Sequence, residues 1–253
     1  MEAREEPAVE LEPSMLPISL VSAAFLLKPG APLVPPPVHV RVRTPTALAP
    51  SGIDGLPLLE QSATVAGIFA ALGVGSVAAT FAFEAIGEQL PSGWGTNAVK
   101  ASSLLGAAFI LAGYSHFALP EAYEAIYPPP GTWGFWYLPG SASFHVKWTG
   151  VAECVGGTGL LLGGLGDSLG DPISGGRARP LRQLSASALF ALMVAVFPVN
   201  VYQYTHGAIM VGAGPDDGPL SLDYHYVRLA LQVLLLSALS LLSKEEGGRI
   251  SGD

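Results

Sequence analysis

The sequence predicts an all-α fold, a polytopic membrane bundle of transmembrane helices. Half of the 253 residues are hydrophobic and only 13% are charged, whereas soluble globular domains carry about 25% charged residues. The mean hydropathy is +0.45, and apolar runs of about 20 residues, long enough to cross a bilayer, recur along the chain. Because backbone groups find no water partner in lipid, each of these runs is expected to be helical.

Five apolar segments are predicted to span the membrane. In chain order they cover residues 64–86, 98–119, 146–166, 183–204 and 224–242. The spans are rich in small residues, as in the "GTGLLLGG" run of the third span, and small residues let helices approach closely in lipid. The glycines therefore predict tight helix packing, and they carry no information about function.

The first 60 residues are predicted to be a leader, either targeting or disordered. The stretch "MLPISLVSAAFLLKPGAP" is similar to the apolar part of a signal peptide, and "VHVRVRTPTALAPSG" is similar to a transit segment, basic and free of acidic residues. A signal followed by a transit segment favours a plastid protein of the thylakoid membrane. A plain disordered leader, in a protein of the plasma membrane or the endomembranes, is the alternative.

Basic residues are unevenly distributed between the two sides of the predicted bundle. With five spans, one side receives six Lys and Arg residues outside the leader, and the other receives Lys147. Because cytoplasmic loops are enriched in Lys and Arg, the first side is predicted to face the cytoplasm, or the stroma in a plastid. We call this side the basic end; it holds Lys100, Arg177, Arg179, Arg182, Lys244 and Arg249.

The opposite side, which we call the aromatic end, carries the long connection between the second and third spans. Trp and Tyr side chains are enriched where helices meet the membrane surface. The aromatic residues of this connection are therefore predicted to form an interfacial belt, together with a tryptophan at the start of the third span. They are Trp133, Phe135, Trp136, Tyr137 and Trp148.

Charge, cysteine content and motifs exclude several functions. The net charge is −8 and no basic patch is present, so the chain is not predicted to bind nucleic acid. Cys154 is the one cysteine, which excludes an internal disulfide and a C-x-x-C redox pair. The sequence contains no phosphate-binding loop, zinc-ligand spacing or dinucleotide fingerprint, and no catalytic residue is assigned.

Four predicted helices place a polar side chain at one depth near the aromatic end. His116, Asn200 and Arg228 lie three or four residues inside the end of a span, and Glu153 lies seven residues inside. At about 1.5 Å of rise per residue, they fall in one layer roughly 5–10 Å below the interface. Pro198 removes a helix hydrogen bond just before Asn200, which frees a backbone carbonyl.

Further polar residues extend this layer into a candidate pocket. His225 and Gln232 share a helix face with Arg228 by their spacings of three and four residues. The segment "FPVNVYQYTH" adds Tyr202 and His206 beside Asn200. The complete set of candidate residues is His116, Glu153, Asn200, Tyr202, His206, His225, Arg228 and Gln232.

Two interpretations of this layer stay open. Charged side chains cost about 2.5–3.5 kcal/mol each in the middle of a membrane helix, so Glu153 and Arg228 should face the bundle interior and pair. The layer is then either a pocket for a quinone, a chlorophyll or a lipid, or a buried salt bridge that holds the helices together. His116 and His206 are the candidate ligands of a haem or pigment metal.

Four segments resemble the DoxX-like family of small four-helix membrane proteins. They are "LAGYSHFALPEAYEAIYPPP", "WTGVAECVGGTGLLLG", "ALMVAVFPVNVYQYTHG" and "YHYVRLALQVLL", in this order. The resemblance implies a DoxX-like four-helix core over residues 98–243, preceded by one extra N-terminal transmembrane helix and loop at 61–97 and followed by a polar tail at 244–253. The family pattern falls on Gly113, His116, Phe117, Ala152, Glu153, Phe197, Pro198, Asn200, Tyr202, Arg228 and Gln232.

The resemblance implies a role in membrane redox chemistry without fixing it. Some relatives are subunits linked to thiosulfate oxidation and quinone reduction. With the leader and the extra helix, this favours an auxiliary or structural subunit of a membrane redox or photosynthetic complex, with lipids and a larger assembly as partners. The alternatives are a sulfur-compound:quinone oxidoreductase subunit that uses Glu153, His116 and Arg228, and a small-molecule transporter, which the lack of an inverted repeat disfavours.

Overall fold

A computed structural model describes residues 49–91, 94–170, 176–210 and 219–244, with the backbone alone at 94–98. These ranges contain helices and no strands, which confirms the predicted all-α membrane bundle. Short 3-10 turns lie at Ile53–Gly55 and Thr132–Gly134. The α-helices are α1 (Leu58–Gly87), α2 (Trp94–Ala118), α3 (Pro120–Ala125), α4 (Ala142–Leu169), α5 (Ala178–His206) and α6 (Leu222–Ser243).

Four of these helices are long and apolar enough to cross a membrane. They are Leu58–Gly87, Val99–Ala118, Ala178–His206 and Leu222–Ser243, and they coincide with the first, second, fourth and fifth predicted spans. The third predicted span, 146–166, forms the 28-residue helix α4, whose glycines dilute its hydropathy. Helix α4 packs antiparallel between α2 and α5.

Backbone-to-backbone contact between α2 and α4 depends on glycine. A Cβ atom added at Gly113 would lie 2.6 Å from the Gly150 carbonyl oxygen, and one added at Gly157 would lie 2.7 Å from the Gly106 carbonyl oxygen. Glycines on the opposite side of α4 make similarly close approaches to α5. The close packing predicted from the small residues is therefore present on both faces of α4.

The extra helix α1 packs parallel to α6. The Ser237 hydroxyl donates to the Ser76 carbonyl oxygen at 3.0 Å. Farther along both helices, the Lys244 ammonium lies 2.5 Å from Oε1 of Glu84. This pair accounts for Glu84, a carboxylate late in the first span, and it places the C-terminal ends of α1 and α6 together.

The basic end is held by a buried arginine. Nε of Arg182 donates to Oδ2 of Asp167 at 2.7 Å, and Nη1 donates to the Leu242 carbonyl oxygen at 2.8 Å. Arg182 thereby ties the start of α5 to the ends of α4 and α6. The ends that the sequence assigns to one side therefore meet, although Arg249 lies outside the described residues.

At the aromatic end, the chain between α3 and α4 folds back into the bundle. Trp133 is 1% exposed, its Nε1 donates to the Thr205 hydroxyl at 3.0 Å, and its carbonyl oxygen accepts from the Ser62 hydroxyl at 2.6 Å. Trp133 thus joins α5 to α1 and does not belong to an interfacial belt. Phe135, Tyr137 and Trp148 are exposed, as the belt prediction requires.

The described residues include the last part of the predicted leader. The Ala49 amide donates to Oδ2 of Asp54 at 2.9 Å, and Nε2 of Gln61 donates to the Leu56 carbonyl oxygen at 2.8 Å. Residues 49–57 therefore form a turn that leads into α1. The targeting prediction for residues 1–48 and the tail after Lys244 lie outside the described residues.

Candidate functional site

Arg228 is the centre of the polar layer, and its partners are neutral. The residue is 8% exposed; Nη1 donates to Oε1 of Gln203 at 2.6 Å, and Nη2 donates to Oδ1 of Asn200. Asn200 and Gln203 lie on one face of α5 because they are three residues apart. Among the ion pairs of the described residues, none joins Arg228 to a carboxylate. The salt bridge considered between Glu153 and Arg228 is therefore not formed.

The guanidinium of Arg228 consequently keeps a positive charge that no described carboxylate balances. Amide oxygens satisfy hydrogen bonds but leave the charge in place, and a buried charge without a counter-ion is costly. Tyr224 and Tyr123 interact electrostatically with this charge. An electron-rich oxygen that reaches Arg228 would therefore be bound favourably.

Glu153 lies on a different side of α4 from the one that meets α5. Its spacing of three residues from Gly150 and four from Gly157 places it on the face that contacts α2. There, Oε2 of Glu153 lies 3.6 Å from Nε2 of His116. Glu153 thus pairs with a histidine across the α2–α4 contact.

A cavity of about 110 Å³ adjoins Arg228 between α1, α5 and α6. Its walls are mostly apolar, with the guanidinium as the charged group. The extra helix α1 supplies one wall residue, so it takes part in the site. The lining residues are Ile68 from α1, Phe197, Asn200, Val201 and Tyr204 from α5, and His225, Tyr226, Arg228 and Leu229 from α6.

The other predicted residues lie around this cavity at separate positions. Nε2 of Gln232 donates to the Met193 carbonyl oxygen at 3.4 Å, one turn deeper than Arg228. Tyr202 and His206 pack against Trp133, with ring centroids 6.3 Å and 6.1 Å away from it. The predicted layer therefore separates into the Arg228 pocket, the His116–Glu153 pair and an aromatic cluster under Trp133.

Protein groups face both ring nitrogens of one histidine proposed as a metal ligand and one ring nitrogen of the other. The two ring nitrogens of His116 face the Val146 carbonyl oxygen and Glu153. Nδ1 of His206 lies 2.8 Å from the Thr205 hydroxyl. Across the described residues, no group of three or more His, Cys, Asp or Glu side chains is arranged to hold a metal ion.

Several contributors to the site were not among the predicted residues, and three of them show why. Gln203 could have been predicted from the sequence, because it lies three residues from Asn200. Tyr123 stacks on His116 with ring centroids 3.9 Å apart and places its hydroxyl 2.5 Å from that of Ser115, but a short helix in a proline-rich connection gives no periodic signal. Ile68 is one apolar residue among many in α1, so only the packing of the helices identifies it.

Comparison with protein-family models, with characterised proteins and with solved structures found no match for this chain. The DoxX-like resemblance of residues 98–243 therefore stays a prediction.

Proposed function

We propose that this integral membrane protein binds an amphiphilic ligand through an oxygen atom that accepts hydrogen bonds from Arg228. The observation that carries the proposal is a buried guanidinium, bonded to two neutral amides, beside an apolar cavity. Ionisable groups within membrane segments are costly and mark binding sites or ion pathways. Here the cost is offset when an acceptor oxygen of the ligand, with a full or a partial negative charge, reaches the guanidinium.

The size of the cavity indicates how such a ligand would lie. Sites for whole drug-sized ligands enclose about 300–1,000 Å³, so a cavity of about 110 Å³ holds a headgroup alone. Tyr226 lines the cavity and is exposed, so the cavity opens at the outer surface of the bundle. The apolar tail of the ligand would therefore remain in the surrounding lipid.

Two ligand classes share this chemistry. A quinone offers carbonyl oxygens on an apolar ring, and an anionic lipid offers phosphate or sulfonate oxygens. Arg binds both kinds of oxygen, and its planar fork favours bidentate contact with an anionic group. The headgroup, rather than the tail, separates the two classes.

Exchange of Arg228 tests the proposal. We expect Arg228→Gln to weaken binding of the ligand by about tenfold to a hundredfold, because a hydrogen bond to a charged group contributes about 1.5–3 kcal/mol. Binding of a long-tailed quinone and of phosphatidylglycerol to the purified protein in detergent would be measured separately by fluorescence quenching and native mass spectrometry. If Arg228→Gln weakens the binding of only one of these two ligands, that ligand identifies the class that the protein binds.

The matched control is Arg179→Gln, the same exchange at an exposed arginine of the basic end. It should leave both affinities unchanged. Circular dichroism would establish that each variant is folded. Unaltered binding of both ligands by folded Arg228→Gln would refute a role for the guanidinium.

We further propose that the protein serves as an auxiliary subunit of a membrane redox or photosynthetic complex, in the thylakoid membrane of a plastid. The leader pattern and the redox-linked families that residues 98–243 resemble support this assignment. The outward side of α1, which exposes Leu59, Val74 and Phe81, offers an apolar surface to neighbouring helices as well as to lipid.

Co-purification tests the subunit proposal. The tagged protein would be isolated from native membranes in mild detergent, sized on a native gel and analysed by mass spectrometry. Photosystem or light-harvesting partners support the photosynthetic assignment, and dehydrogenase or oxidase partners support the redox assignment. Migration as a lone chain from every membrane fraction would refute both.

A further inference from the structure

The orientation of the His116 ring fixes one of its protons. Nδ1 lies 2.9 Å from the Val146 carbonyl oxygen, and a carbonyl oxygen can only accept a hydrogen bond. Nδ1 therefore carries a proton. The Thr149 hydroxyl lies 3.3 Å from the same nitrogen, but its shorter bond, at 2.7 Å, donates to the His145 carbonyl oxygen.

The other ring nitrogen of His116 faces a carboxylate oxygen. Nε2 lies 3.6 Å from Oε2 of Glu153, and that oxygen has no hydrogen-bond partner. In a neutral ring with a proton on Nδ1, Nε2 is an acceptor, as is an ionised carboxylate. With no proton between them, two acceptors would face each other in a buried site where Glu153 is 6% and His116 9% exposed.

We propose that His116 and Glu153 form a buried proton-binding site, which holds one proton in addition to the proton on Nδ1. The separation of 3.6 Å is longer than a hydrogen bond, so the proton resides on one partner at a time. The pair is then either a carboxylic acid beside a neutral imidazole or a carboxylate beside an imidazolium. In both forms it is electrically neutral.

The surroundings supply no other described cation for this carboxylate. From α3, Tyr123 stacks on the His116 ring and directs its hydroxyl to Ser115. On α4 itself, the Cys154 thiol points to the Ile110 carbonyl oxygen at 3.7 Å. On α6, Arg228 is bonded to amides of α5, and within the described ranges the ion pair of Glu153 is with His116.

The α2–α4 contact leaves the pair little room to rearrange. A Cβ atom added at Gly150 would lie 2.8 Å from Cβ of His116, so the histidine is packed directly on the α4 backbone. If the proton leaves, a buried carboxylate remains in this contact without a counter-charge. Deprotonation at alkaline pH is therefore expected to destabilise the α2–α4 contact.

The protonation state can be measured in the unmodified full-length protein, in detergent or lipid vesicles. Infrared difference spectra between neutral and alkaline pH would report the carbonyl band of a protonated carboxylic acid. Nitrogen NMR of isotope-labelled histidine would report the protons of the His116 ring. We expect Nδ1 to be protonated at neutral pH, with one further proton on either Glu153 or Nε2.

Two variants, Glu153→Gln and Glu84→Gln, show whether the infrared and NMR signals arise from the His116–Glu153 pair. In Glu153→Gln, an uncharged side chain of the same shape, the pH-dependent signal of the pair should disappear, and the midpoint of thermal unfolding should lose its alkaline decrease. Glu84→Gln is the matched control, because Glu84 is a carboxylate paired with exposed Lys244 outside the contact. It should retain both effects.

Each possible result of these measurements either supports or overturns the proposed proton-binding site. Either location of the proton, on the carboxyl group or on the ring, supports the site. An ionised Glu153 beside a neutral His116 at neutral pH, in either tautomer, would overturn the proposal, because the pair would then carry a net negative charge. An alkaline decrease in stability that persists unchanged in Glu153→Gln would overturn its link to the α2–α4 contact.

Discussion

Replacement of Trp133 by alanine is expected to destabilise the protein by about 3–5 kcal/mol, the range for removal of a large buried aromatic side chain. Trp133 is 1% exposed and packs against Phe135, Trp136, Tyr202 and His206. The exchange also deprives the Thr205 hydroxyl of its donor. The free energy of unfolding would be measured in mixed detergent, with tryptophan fluorescence as the signal.

Trp148→Ala is the matched control, because this tryptophan is 40% exposed at the same end of the molecule. Its effect should be much smaller. Trp133→Phe separates the ring from its hydrogen bond, and we expect an intermediate loss because the aromatic packing is largely kept. Equal losses of stability in Trp133→Ala and Trp148→Ala would contradict the description of Trp133 as a buried residue that contributes to packing.

Gly157→Ala is expected to destabilise the α2–α4 contact by about 1–3 kcal/mol, the usual cost of overpacking. The new Cβ atom would lie 2.7 Å from the Gly106 carbonyl oxygen and 2.9 Å from the Ile110 amide nitrogen. Both are backbone atoms, which cannot rotate away, so the two helices must separate. Equilibrium unfolding of the variant would be compared with that of the unmodified protein.

Gly73→Ala is a control for which we do not expect a loss of stability. A Cβ atom at Gly73 meets nothing within 4 Å, and alanine is favoured over glycine in a helix by about 0.8–1.0 kcal/mol. This exchange should therefore be neutral or stabilising. If both substitutions shifted stability in the same direction by similar amounts, the close approach at Gly157 would have no energetic weight.

The sequence was sufficient for the number and the order of the five long helices of the described residues, because each contains an apolar run long enough to cross a bilayer. The sequence was not sufficient to predict which neighbouring helix a given side chain faces. Asn200 and Tyr202 lie at nearly the same depth, yet Asn200 lines the Arg228 pocket and Tyr202 packs on Trp133. That difference depends on which helices are neighbours.

The expected pairing of Glu153 with Arg228 shows the same limit. Equal depth and opposite charge made the salt bridge a reasonable expectation. The face of α4 that carries Glu153 is the face whose glycines contact α2, and α2 offers His116 there. The glycine spacing alone could have located this face, had α2 been known to be the neighbour.

The burial of Trp133 followed from no pattern in the sequence. Aromatic residues in a connection between spans are typical of a membrane interface, and Phe135 and Tyr137 of this connection are exposed. Trp133 turns inward through a backbone with φ of +55°, in the left-handed region that few bulky residues adopt. Only the assembled ends of α1 and α5 provide the hydrogen bonds that hold this conformation.

The parallel contact of α1 with α6 has a consequence for biosynthesis. During translation the N-terminal part of a chain is available first, so α1 enters the membrane before any other described helix, and α6 enters last. Antiparallel neighbours such as α5 and α6 can associate as soon as both are inserted. The cavity that Ile68 helps to line is complete only after the ribosome has finished α6, and until then the described neighbours of α1 are α5 and the segment that contains Trp133.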